Sequence, residues 1–115
     1  MKKNRLGRTE LKVSQIVLGG GWVGGLFIDP DLSVMEKALV KAINSGINWI
    51  DTAESYSDGQ SEKNIGLLLR SIKNNNIYIS SKARLEPNSS ETIFSQLDRK
   101  IDESLERLNI SYIDL

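Results

Sequence analysis

Asp51, Tyr56 and Lys82 are the residues of this sequence whose types and spacing could carry a proton transfer. Asp51 directly follows the apolar run Ile47-Asn48-Trp49-Ile50, Tyr56 sits in the polar loop beyond it, and Lys82 follows Ile77-Tyr78-Ile79 after Ser80-Ser81. A phenol, with an ordinary pKa of about 10, is a poor proton donor at pH 7. An ammonium beside it stabilises the phenolate and eases proton exchange. A carboxylate beside the ammonium fixes its position and offsets part of its desolvation. Such a trio can give a proton to a carbonyl oxygen as a hydride reaches the carbon. Each residue also has a plainer use: Asp51 as a turn cap at Thr52-Ala53, Tyr56 as a loop aromatic, Lys82 as a solvated charge.

Composition narrows the field. The chain has no His and no Cys, which excludes Ser-His-Asp triads, His general bases, thiolate nucleophiles and Cys- or His-based metal sites within it. Basic and acidic residues number 15 each, a balance that gives no support to a nucleic-acid or anionic-membrane surface. At 115 residues, 39% hydrophobic and 26% charged, it reads as one globular domain. No apolar run approaches the roughly 18 to 20 residues of a membrane span. The basic start Met1-Lys2-Lys3-Asn4-Arg5 leads into no apolar segment, so no secretory leader is expected. With the absence of Cys, that gives the expectation of a cytoplasmic protein. The basic residues 1–15 and the acidic excess in 83–115 read as solvated surface.

The three side chains need strands to hold them. Leu11-Lys12-Val13-Ser14-Gln15-Ile16-Val17-Leu18 suggests a short strand or hairpin arm, with a turn over 7–10 before it, running into a buried strand at 16–18. Ser33, with Glu36 three positions on, suggests a capping box opening a helix over about 34–45, whose stripe is Met35, Ala38, Leu39, Ala42 and Ile43. Gly46 suits the position after the helix end. A strand is expected at 47–50. Ser61 is the expected cap of a second helix carrying Ile65, Leu68, Leu69 and Ile72, ended by Asn74-Asn75-Asn76. A third strand is expected near 77–80, a long helix over about 90–107 with Ile93, Leu97, Ile101, Leu105 and Leu108 on one stripe, and a fourth strand at 111–115. This alternation argues for crossover units on a parallel sheet. Connection handedness does not decide between an open sheet and a closed barrel. Loops leaving the same sheet edge can then bring Asp51, Tyr56 and Lys82 together.

Gly19, Gly21 and Gly24 fit the dinucleotide fingerprint G-x-G-x-x-G after a strand. The context opposes it. Gly25 and Pro30 intervene before the helix, whereas the fingerprint should open one, and Asp51 lies well beyond the roughly 20 positions at which a ribose-binding acid is expected. The glycines instead suit a loop that lets a ligand approach the backbone closely.

The segments LGRTELKVSQIVLGGG, AINSGINWIDTAESYSDGQSEKNIG, IYISSKA and SLERLNISYIDL resemble the N-terminal part of an aldo-keto reductase. The most specific is the second: Asp-Thr-Ala after a strand, a Tyr four residues after the Thr, then Gly and Ser-Glu. The resemblance implies the first part of a (β/α)8 TIM barrel, about three and a half β/α units, in an enzyme that reduces aldehydes or ketones with NADPH. It implies that Asp51 is the catalytic aspartate, Tyr56 the general acid and Lys82 the lysine that tunes it. Gly20, Gly21 and Trp22 correspond to the loop that touches the nicotinamide end, and Asp51 counts among the cofactor contacts. Glu62 corresponds to an acid that holds the neighbouring loop by hydrogen bonds. The family's histidine follows the equivalent of Tyr112-Ile113-Asp114-Leu115, and its main phosphate contacts come from the last strands.

The resemblance therefore carries the expectation that residues 1–115 are the N-terminal part of one barrel domain, with no second domain, and inactive alone. A final strand without a following helix leaves an apolar edge, which invites self-association or cover by something else. A non-catalytic truncated barrel acting as a protein-interaction module is the alternative. A small nucleotide-binding module would need the glycine loop to grip phosphate. Trp22 and Phe27 suggest an apolar or aromatic substrate as readily as core packing.

Overall fold

A computed structural model of the chain describes residues 1–21, 25–28, 31–72 and 76–115. The first element is an antiparallel hairpin, β1 (Lys3–Arg5) with β2 (Lys12–Ser14), in the register Lys3↔Ser14 and Arg5↔Lys12. Arg5 staples its turn, donating to the carbonyls of Thr9 and Arg8 and to Glu10. Asn48 ties the hairpin to the sheet: its side chain accepts from the Ser14 amide at 2.7 Å and donates to the Lys12 carbonyl at 2.9 Å.

The central sheet is parallel and ordered β3 (Leu18–Gly19), β4 (Trp49–Asp51), β5 (Tyr78–Ser80). Its register sets Gly19 beside Asp51 and Asp51 beside Ser80. The first strand starts later than the expected 16–18. The Ser14 hydroxyl binds the Ile16 carbonyl at 2.6 Å, turning the chain there and leaving Ile16 exposed. The expected fourth strand over 111–115 forms no regular ladder. The Asp114 and Leu115 amides both donate to the Ile79 carbonyl, and Ser81 donates to Leu115. The Ile79 amide, however, is taken by the Asp114 carboxylate at 2.8 Å rather than by a main-chain carbonyl. This segment lies beside the third parallel strand and so continues the sheet in chain order. A doubly wound sheet would return its fourth strand to the first. The architecture is an unclosed, partial (β/α) barrel.

The helices are α1 (Leu32–Asn44), α2 (Gln60–Ser71) and α3 (Ile93–Leu108), with α1 packed on α2 and α2 on α3. Asp31, rather than Ser33, caps α1: its extended backbone lets the carboxylate accept from the Ser33 and Val34 amides. The Ser33 hydroxyl and amide and the Val34 amide hold that carboxyl below the usual range. Ser61 is not the cap of α2 either. The helix leaves Gly59, whose φ is +80°, and Ser61 is buried within its first turn. α3 starts at Ile93, not near 90, because the Thr92 hydroxyl accepts from the Ser95 amide. The expected end of α2 at Asn74 and Asn75 lies outside the described residues.

Phe27, Met35, Leu39, Ile50, Ile65, Leu68, Ile79 and Leu108 form the core between the sheet and the helices. Phe27 is fully buried there, which makes it a packing residue rather than a wall of a substrate pocket. Gly66 permits the closest approach of α2 to the end of α3: a Cβ there would stand 2.5 Å from the Leu108 carbonyl oxygen.

Candidate active site

The carboxyl ends of β4 and β5 bring Asp51, Tyr56 and Lys82 together. The Lys82 ammonium has three protons and three acceptors: Asp51 Oδ2 at 2.7 Å, the Thr52 carbonyl at 2.8 Å and Tyr56 Oη at 3.2 Å. It also stands 4.9 Å from the Tyr56 ring centroid, in cation–π range. Burial alone would lower the lysine's pKa, but the hydrogen bonds to Asp51 and Tyr56 and their attraction outweigh it and hold the group above the ordinary lysine value. The side chains of Lys82 and Asp51 are 51% and 34% exposed, so water screens the pair and it adds little to stability. Its consequence is positional. Because Tyr56 Oη accepts from the ammonium, the phenol's own proton is free to point outward.

Tyr56 is presented by an unusual turn. Its amide donates to the Ala53 carbonyl at 3.1 Å. Ser57, Asp58 and Gly59 then follow in succession with left-handed φ values of 50°, 50° and 80°. Two non-glycine residues in that region cost backbone energy, and the turn they build starts α2 immediately after the tyrosine. Gly20 and Gly21 lie against the same site. The Gly20 amide donates to the Asp51 carbonyl at 2.7 Å, and the Gly20 carbonyl accepts from the Ser61 hydroxyl at 2.8 Å. A Cβ on Gly21 would come within 3.2 Å of the Tyr56 ring, so the bare backbone lets the phenol lie there. Trp22 is outside the described residues.

Behind this edge two ion pairs fasten α2 and the loop between β4 and α2 to α3. Glu62 is fully buried; it accepts from the Ser81 hydroxyl at 2.5 Å and from Arg107 Nε at 2.6 Å. Arg107 also donates to the Ser104 hydroxyl. Glu54 accepts from Lys100 at 2.8 and 3.0 Å and from the Arg84 amide. Burial alone would raise the Glu54 carboxyl, but Lys100 and the Arg84 amide outweigh it and hold the group below the usual range. Sequence reading missed Arg107, Lys100 and Ser80. Ser80 donates to Asp51 Oδ1 at 2.8 Å; the register of β4 and β5, which sets it beside Asp51, is not written in the sequence.

The donor set fits the nicotinamide end of a dinucleotide and a carbonyl group: a phenol, an ammonium and a carboxylate at an open edge, beside bare glycine backbone. Among the described residues, the start of α1 is not open to a phosphate, because the Asp31 carboxylate already accepts from its Ser33 and Val34 amides. Among the described residues no group of three His, Cys, Asp or Glu could hold a metal ion, and no helix is long and apolar enough to cross a membrane.

Known proteins resemble this chain in sequence and in fold. A sequence model of the Aldo/keto reductase family matches residues 15–115. The NADH-specific methylglyoxal reductase of Escherichia coli is 30% identical over 132 residues, spanning 100% of this chain and 40% of the relative. A probable voltage-gated potassium channel subunit beta of Oryza sativa is 31% identical over 122 residues, spanning 100% of this chain and 36% of the relative. Among solved structures, a putative aldo-keto reductase from Pseudomonas aeruginosa superposes with a TM-score of 0.77 at 35% identity, covering 96% of this chain and 43% of that one. The chain thus spans well under half the length of the relatives it matches.

Proposed function

Because this chain belongs to the aldo/keto reductase family, whose members are NAD(P)H-dependent oxidoreductases, we propose that it supplies the proton-donating part of a carbonyl reductase. The substrate class is an aldehyde or ketone, reduced to an alcohol. The observation that carries this reading is the single ammonium of Lys82 donating to both Asp51 Oδ2 and Tyr56 Oη. In this reading Tyr56 gives its proton to the carbonyl oxygen. Lys82 stabilises the phenolate left behind, and Asp51 holds the ammonium in place. Gly20, Gly21, Trp22 and Asp51 would hold the nicotinamide, which when bound supplies the hydride. NADPH is the donor in this proposal, and the E. coli relative makes NADH the second arm of its test.

A closed barrel takes about 250 residues, so the proposal assigns residues 1–115 to the N-terminal part of one barrel domain. It places that domain in the cytoplasm and takes residues 1–115 to be inactive alone. The test is a titration of the chain with NADPH and with NADH, followed by nicotinamide fluorescence, and turnover of methylglyoxal. Residues 1–115 joined to the downstream β/α units of a relative should turn over. Replacing Tyr56 by Phe in that barrel should lower kcat by at least roughly 10²-fold, the usual scale of general acid catalysis. A barrel that keeps its rate without the phenol would remove the reading.

A second reading has its own observation. Ile93, Phe94, Tyr112 and Leu115 are 66%, 75%, 66% and 58% exposed, which favours a chain that meets another polypeptide, including a second copy, along α3 and the open edge. Light scattering of residues 1–115 tests this second reading: a monodisperse monomer sinks the association.

A further inference from the structure

We propose that Ser80, oriented by the indole of Trp49, is the positioning residue that fixes the plane of the Asp51 carboxylate and, through it, the Lys82 ammonium against Tyr56. The functional meaning of this relay rests on the catalytic reading above.

Trp49 and Asp51 are two apart on β4 and therefore share a face of the sheet, and Ser80 stands directly beside Asp51 on β5. Trp49 Nε1 donates to Ser80 Oγ at 2.9 Å, and Ser80 Oγ lies 2.8 Å from Asp51 Oδ1. The direction of this relay is fixed by chemistry. An indole N–H can only donate, so Ser80 must accept from it, and an ionised carboxylate can only accept. The one hydroxyl proton therefore goes to Asp51. Its other acceptor, the Ile50 carbonyl, is at 3.5 Å, too long to compete.

The relay matters because of where water reaches. Lys82 is half exposed, whereas Ser80 is 4% exposed. A carboxylate held at Oδ2 alone can rotate about its broad terminal torsion. A second bond at Oδ1, from a buried hydroxyl that no water replaces, removes that freedom. The ammonium then meets Oδ2, the Thr52 carbonyl and Tyr56 Oη from one position.

The test uses the chain without cofactor. The indole N–H of Trp49 is identified by its loss in Trp49→Phe, and the side-chain resonances of Lys82 by their loss in Lys82→Met. In Ser80→Ala, the Trp49 indole N–H should exchange with solvent roughly tenfold faster, as expected for one lost hydrogen bond. Lys82 should titrate at lower pH than in the parent. Ser80→Thr should return both toward the parent. If Ser80→Ala does not fold, Ser80→Thr against Ser80→Val decides, since the two side chains have nearly the same volume and differ in the hydroxyl. Unmoved signals in Ser80→Ala, or identical behaviour of the Thr and Val variants, would overturn the relay. Neither signal depends on turnover. A chain that never takes part in carbonyl reduction therefore sinks the catalytic reading while leaving the relay standing.

Discussion

Replacing Arg107 should cost more stability than neutralising its partner. Glu62 is 0% exposed and Arg107 is 20% exposed. Arg107→Met keeps an unbranched stem where the arginine passes Gly59, and deletes the charge together with the N–H groups that reach Glu62 and Ser104. Glu62 then stays buried with the Ser81 hydroxyl as its remaining partner. Stranding a buried charge costs roughly 3 to 5 kcal/mol, and the lower end applies here because Ser81 still donates. Glu62→Gln is milder. The amide oxygen still accepts a hydrogen bond, and the partly exposed guanidinium can turn to water, so the loss is about 1 to 2 kcal/mol. In urea, with a slope of about 1.5 kcal/mol/M, the two midpoints should fall by roughly 2 M and 1 M. The double variant Glu62→Gln/Arg107→Met should recover part of the loss of Arg107→Met alone. Equal losses for the two single variants, or a larger loss for Glu62→Gln, would refute the idea that the buried carboxylate is the group at risk.

Three further outcomes are expected. Ser57→Gly and Asp58→Gly should each stabilise the chain by about 1 kcal/mol, because glycine enters the left-handed region without the Cβ clash; thermal unfolding reads this. Gly66→Ala should destabilise by roughly 1 to 3 kcal/mol through the clash with the end of α3, visible as a lower urea midpoint. The third concerns acid. Glu54 has a folded-state pKa below the ordinary glutamate value of 4.5. Its contribution to stability is therefore present above that value and lost as pH falls through the lower folded value. Lys100→Met should flatten that part of the acid limb in unfolding measured between pH 5 and pH 2.

Position near strand ends put Asp51, Tyr56 and Lys82 on one sheet edge, but each also had a plainer use there, and it was the resemblance of the Asp-Thr-Ala segment to aldo-keto reductases that singled the three out. What failed was decided by competition or by distance along the chain. Asp31 and Ser33 are both good caps, and only the extended backbone at Asp31 settles which one reaches the free amides. The run Tyr112-Ile113-Asp114-Leu115 has strand composition, but the Asp114 side chain takes the Ile79 amide that a ladder would need. Glu62 and Arg107 are 45 positions apart, and the helix packing that joins them has no local signature. Ser80 was hidden differently: its neighbours were known, but its partner depended on the register of two strands.

The same reasoning explains how the trio can be assembled although the sheet is unclosed. Every hydrogen bond to the Lys82 ammonium comes from β4 or from the loop that follows it, and the buried hydroxyl that holds Asp51 comes from the neighbouring strand. The groups that meet the ammonium or hold Asp51 thus belong to two paired strands and the loop, with its left-handed turn, after the first of them. What they do not supply is a dry surrounding, since Lys82 remains half exposed. An ion pair in water is worth little, and the same pair with water excluded acts far more strongly on a developing charge. In the proposed reaction the rest of the barrel would therefore contribute the cofactor's phosphate grip and the exclusion of water, while the proton donor and its electrostatic support are already set by residues 49–82.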